Sequence, residues 1–111
     1  MKDKEEIIEH LKYIAEQVDI EIDEFIIFGS TAKGERTQNS DTDIIVLSSD
    51  YTEELTYNRT PTFLEEWNFD EFGPVDFICL THDEFNERKK QKHTVYEEAN
   101  NEGINVRIED K

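Results

Sequence analysis

Two short stretches hold the residues that could do chemistry. Gly29-Ser30-Thr31-Ala32-Lys33-Gly34 follows the apolar run Phe25-Ile26-Ile27-Phe28, and Ser40-Asp41-Thr42-Asp43 runs into Ile44-Ile45-Val46-Leu47. The pattern is a strand, a small-residue turn, a short helix, a loop and a second strand. Glycine lets a backbone approach a phosphate closely. The N–H groups of Ser30, Thr31 and Ala32 would open a helix, and helix N-termini favour anions. Side chains two apart on a strand share a face, so Asp41, Asp43 and Ile45 point one way and Thr42, Ile44 and Val46 the other. That spacing sets the two carboxylates roughly 6–7 Å apart at Cα. Both can then reach a pair of metal ions about 3.5–4 Å apart. Hard divalent cations prefer such oxygen ligands. Asp76, at the start of the apolar run Val75-Asp76-Phe77-Ile78-Cys79-Leu80, is the candidate third carboxylate. The ligand that suits all of this is a nucleoside triphosphate with divalent metal. The bland alternative is a glycine turn beside solvated aspartates, with Asp76 exposed at a sheet edge.

Gly29-Ser30-x-x-x-Gly34, then Ser40-Asp41-x-Asp43, then a later strand carrying Asp76, resembles the DNA polymerase beta-type nucleotidyltransferase superfamily. More narrowly, the chain resembles its minimal nucleotidyltransferases. The resemblance implies the nucleotidyltransferase fold, an α/β fold with a mixed sheet of about four strands. It implies that Gly29, Ser30, Lys33 and Ser40 bind the nucleotide. It also implies that Asp41, Asp43 and Asp76 are the catalytic residues and hold two Mg²⁺ ions, with ATP as substrate. Lys33 stands where the family often has arginine, so it would meet a phosphate as a point charge rather than a fork. Arg107 stands where many relatives have a tyrosine in the last strand. Minimal nucleotidyltransferases are often paired with a HEPN-type toxin, and the resemblance implies an antitoxin that transfers AMP to a tyrosine of that partner. Two alternatives stay open: a small-molecule hydroxyl as acceptor, and a non-catalytic module that neutralises a partner by contact.

The elements that must position these residues follow an α-β-α-β-α-β-α-β order. Ile7, Ile8, Leu11, Ile14, Ala15 and Val18 recur at helical spacing, which predicts an amphipathic helix over 3–18, with Asp3 and Glu6 as a capping pair. Residues 20–28 hold the first strand, 42–47 the second and 75–80 the third. Thr60-Pro61 predicts a helix start, with Phe63, Leu64 and Trp67 as its apolar face, ending near Gly73-Pro74. Tyr51, Tyr57, Phe69 and Phe72 would pack this segment onto the sheet or stack on a base. Thr81 can cap a helix running to about Ala99. Its basic run, Arg88 to His93, is expected to be a solvated face with Glu84–Arg88-type pairs and lysine stems lying over apolar surface. Gly103 enters a last strand through Ile108.

Composition sets further bounds. The 111 residues carry a net charge of -16, and 36% are charged. One domain, 1–111, is expected. So acidic a surface repels nucleic acid and favours a basic protein partner, in a homo- or hetero-oligomer; the alternative is that the excess acid merely keeps the protein soluble or reflects a salty habitat. Cys79 is the only cysteine, so no intrachain disulfide forms, and a small buried apolar role is expected. His10, His82 and His93 lack zinc spacing. No apolar run is long enough to cross a membrane, and the N-terminus lacks a signal-peptide pattern, so a cytoplasmic location is expected.

Overall fold

The strands of the sheet lie in the order β3-β2-β1-β4. A computed structural model describes residues 4–18, 21–29, 42–48 and 61–108. Among these, α1 is Lys4–Gln17, β1 is Glu24–Phe28 and β2 is Thr42–Leu47. Then come α2 (Pro61–Glu66), α3 (Phe69–Phe72), β3 (Val75–Leu80), α4 (His82–Arg88), α5 (Val95–Glu102) and β4 (Ile104–Arg107). β1 pairs antiparallel with β2 and with β4, while β2 and β3 are parallel. The sheet is therefore mixed and four-stranded, as expected. The expected helix over 30–33 lies outside the described residues, as do Thr60 and Asp3.

Each face of the sheet is covered by a different set of helices. On one side Ile7, Leu11 and Ile14 of α1 pack with Phe63 and Trp67 against Phe25, Ile27, Ile44, Val46, Phe77 and Cys79. On the other, Phe85 of α4 and Ala99 of α5 pack against Ile26, Phe28, Ile45, Leu47 and Leu80. The period of two in β1 and β2 divides their apolar residues between these layers. This explains why both strands are nearly continuously apolar: each is buried on both faces. Cys79 is buried, as expected for a small apolar filler.

Two expected helices are each divided in two. The segment after Pro61 breaks at Trp67-Asn68, because the Asn68 side chain accepts from the Glu71 N–H and caps α3. Gly73, at φ 74, then closes α3, and the Trp67 indole donates to its carbonyl at 2.9 Å. Trp67 is thus a buried wedge between two short helices rather than part of one apolar stripe.

The helix expected over 81–99 likewise stops at Arg88 and restarts at Val95. Thr94 accepts from the Glu97 N–H at 3.2 Å and donates to the Gln91 carbonyl at 2.9 Å. The preceding residue, His93, takes φ 62, a left-handed conformation that histidine tolerates better than most residues. A Thr-x-x-Glu signature at Thr94–Glu97 was present in the sequence and competes with continuation of the helix. Thr81 does cap α4, and with Glu84 forms a full capping box. Arg88 lies over the Tyr96 ring, 5.4 Å from its centroid, and donates to its hydroxyl at 3.3 Å. Lys89 covers the Phe85 ring at 5.5 Å, as the stem argument expects. Lys90 and Lys92 meet Glu87 and Glu97.

His10 joins α1 to α3. Its Nε2 accepts the Asn68 N–H at 3.1 Å, and its ring stacks on Phe72 at 4.7 Å. Burial pushes its pKa below the ordinary 6.5, only partly opposed by Glu71 and Glu66. Protonation would also remove the lone pair that Asn68 uses. A histidine with a depressed folded pKa favours the folded state above the unfolded value, and that contribution is lost as pH falls below 6.5. Stability of the wild type should therefore drop more steeply than that of His10→Gln between neutral pH and about pH 5. Denaturant melts at several pH values check this; parallel pH profiles would refute it.

Candidate active site

Three residues stand in one row across the sheet. Phe28 of β1 pairs with Asp43 of β2, and Asp43 pairs with Asp76 of β3. Parallel neighbours lie about 4.8 Å apart, so the two carboxylates start from adjacent backbone positions. They share the face that carries Ile45 and Leu47, and α4 and α5 cover it further along the strands. Burial declines across the row: Phe28 is buried, Asp43 half-buried and Asp76 exposed. The row is closed on the β1 side and opens to solvent at the β3 edge.

The pairing that makes this row is fixed at its base. Thr42 is fully buried and its N–H donates to the Pro74 carbonyl at 3.0 Å. Pro74 cannot donate to a ladder, but its carbonyl starts one. Gly73-Pro74 marked a helix end in the sequence; that Pro74 also sets the β2–β3 register was not legible there.

Gly29 closes the row from above. It has φ +75, and a Cβ built on it would lie 2.5 Å from Asp43 Oδ2. The glycine therefore serves two needs: a left-handed turn out of β1, and direct passage of the backbone over the Asp43 carboxylate. Its expected role was approach to phosphate. The close approach to Asp43 puts the start of the turn and the carboxylate in one place, which a ligand bound by both requires.

Of the seven site residues expected, Gly29, Asp43 and Asp76 are described, and all three come together. Ser30, Lys33, Ser40 and Asp41 lie outside the described residues. Arg107, in the last strand, is exposed and 4.0 Å from Glu24 Oε1, on the far side of β1 from the aspartates. Among the described residues no cluster of three His, Cys, Asp or Glu side chains forms a metal cage. Asp43 and Asp76 still suit a divalent cation: they are hard oxygen donors on adjacent strands, and like charges directly across a strand pair are destabilising until neutralised. No helix among the described residues is long and apolar enough to cross a membrane.

Comparisons with known proteins bear on the family and the fold. The family model described as "Nucleotidyltransferase domain" matches residues 7–110. A crystal structure of a protein assigned to the nucleotidyltransferases, from Sulfolobus solfataricus, superposes with a TM-score of 0.57 at 22% identity, covering 88% of this chain and 73% of that one. Its likeness is one of fold. A search of curated proteins found no match.

Two substitutions test the row. Gly29→Ala should cost roughly 1–2 kcal/mol of stability, the penalty of a left-handed L-residue. Because it also displaces the Asp43 carboxylate, nucleotidyl transfer should fall about 10²-fold, the scale of a misplacement near 1 Å. Asp43→Asn should melt at the same temperature or higher without metal, since it removes one of two facing charges, and should lose most of the shift produced by Mg²⁺-ATP. Four melting curves decide the second case; a mutant that keeps the whole shift is not missing a ligand.

Proposed function

We propose that this chain, which belongs to the nucleotidyltransferase domain family, transfers AMP from ATP to a hydroxyl of a protein partner. The acceptor in this reading is a tyrosine of a basic, HEPN-type protein, and the chain acts as its antitoxin. Nucleotidyl transfer itself follows from the family. The observation that supports the specific site is the cross-strand pair Asp43–Asp76 under the Gly29 turn.

The reaction is in-line attack of a hydroxyl oxygen on the α-phosphorus. The new P–O bond forms as the bond to the bridging oxygen breaks, and pyrophosphate leaves. Such transfer depends on positioning and charge stabilisation more than on covalent help from the protein. Gly29 admits the triphosphate close to the backbone, and Ser30 and Lys33 would hold its outer phosphates. Asp41, Asp43 and Asp76 would hold Mg²⁺, which when bound supplies charge neutralisation to the triphosphate. Asp76, the exposed member of the row, faces the open edge from which an acceptor would arrive, and it takes up the hydroxyl proton.

The net charge of -16 supports a basic protein as acceptor over a nucleic acid. The test is incubation of the chain and its candidate partner with Mg²⁺ and labelled ATP, followed by intact-mass measurement of the partner. An added AMP, lost with Asp43→Asn, is expected. A partner that binds but gains no mass would replace transfer with inhibition by contact.

A further inference from the structure

Three rings stack in a line across α1 and α3 on the helical layer opposite the aspartate row. Tyr13 stacks beside His10 at 6.1 Å with an interplanar angle of 10°, and His10 stacks on Phe72 at 4.7 Å. Phe69 lies three residues before Phe72 on α3 and is exposed where Phe72 is buried. Tyr13 is 51% exposed and Phe69 49%. Leu64 on α2, which packs against α1, is a further exposed apolar residue. Large aromatics left half in water over two adjoining helices stabilise the fold little for their size.

Carboxylates surround this line. Glu66 and Glu71 both act electrostatically on His10. Glu9 is exposed one residue before His10, and Asp70 is exposed between Phe69 and Glu71. An aromatic surface within a carboxylate rim attracts guanidinium and ammonium groups twice over, by charge and through the ring faces. It repels phosphodiester backbones and anionic lipid. A second copy carries the same -16 and is repelled as well.

We propose that exposed Tyr13 and Phe69, on either side of the His10–Phe72 stack and with Glu66 and Glu71 beside His10, mark the docking surface for a basic protein segment that presents arginine among apolar side chains. This rests on the basic-partner part of the function proposed above and not on nucleotide transfer. The helical layer bearing the rings is separated from the aspartates by the sheet. Docking there leaves the Asp43–Asp76 edge accessible, so one partner can be held by one face while a hydroxyl reaches the other.

The probe is a synthetic amphipathic helix with arginine and leucine on adjoining faces, titrated into the full chain without nucleotide. Amide shifts in an NMR titration should be largest on α1 and α3. Tyr13→Ala/Phe69→Ala, and separately Tyr13→Lys, should weaken binding about tenfold or more, the scale on which exposed aromatic anchors act. Val95→Ala, an exposed apolar residue on α5, should leave it within about twofold, well inside one tenfold step of 1.4 kcal/mol. All variants should keep the Mg²⁺-ATP melting shift, and Asp43→Asn, which loses that shift, should keep peptide binding. This separates failure of the surface from failure of the active site. Equal affinity of the Tyr13 variants and wild type, or shifts centred elsewhere, would overturn the proposal. So would a concentration-dependent dimer abolished by Tyr13→Lys, or preferential binding to anionic vesicles.

Discussion

The parallel pairing of β2 with β3 in the Asp43–Asp76 register is the constraint on which the site depends. Side chains on a strand alternate faces, so a slip of one residue would send Asp76 to the opposite side of the sheet from Asp43. It would also put Phe77 and Cys79 under α4 and α5, and Leu80 under α1. The apolar residues of β3 therefore hold the aspartates in register. The Thr42–Pro74 hydrogen bond closes the pair at the end where the carboxylates lie.

That arrangement sets two like charges side by side at the boundary of a buried core. The row is graded, with Asp43 half-buried and Asp76 exposed. The same grading gives the site a direction. Phe28 seals one end, Gly29 passes over the middle, and the β3 edge is open. The sheet thus separates the edge that carries Asp43 and Asp76 from the helical layer that carries His10, Tyr13 and Phe72.

The short helices show how local chemistry outcompetes periodicity. Asn68 and Thr94 each offer a side-chain oxygen to an N–H three residues on, and a helix restarts at each. In the first case, the break lets Trp67 turn inward to the Gly73 carbonyl and lets the Asn68 backbone reach His10. In the second, it frees the basic run to form a tight turn in which Lys89 and Arg88 lie on rings and Lys90 and Lys92 on carboxylates. Both sites carried cap signatures, Asn68-x-x-Glu71 and Thr94-x-x-Glu97, which compete with a continuous helix.

The sequence by itself marked β1, β2 and β3, because two-sided burial writes continuous apolar runs, and it offered Gly29, Asp43 and Asp76 as candidates from residue type and position along those strands. It also specified the caps at Thr81 and the stripe of α1. Tertiary structure alone decided that β3 lies parallel to β2 with Asp76 opposite Asp43. Alternation along a strand fixes which residues share a face but says nothing of which strand is the neighbour. It likewise decided that Gly29 crosses over Asp43, and that His10 and Tyr13 of α1 stack with Phe72 of α3. These residues are separated by more than fifty positions across α1 and α3, and no period in a linear chain records a contact made by folding.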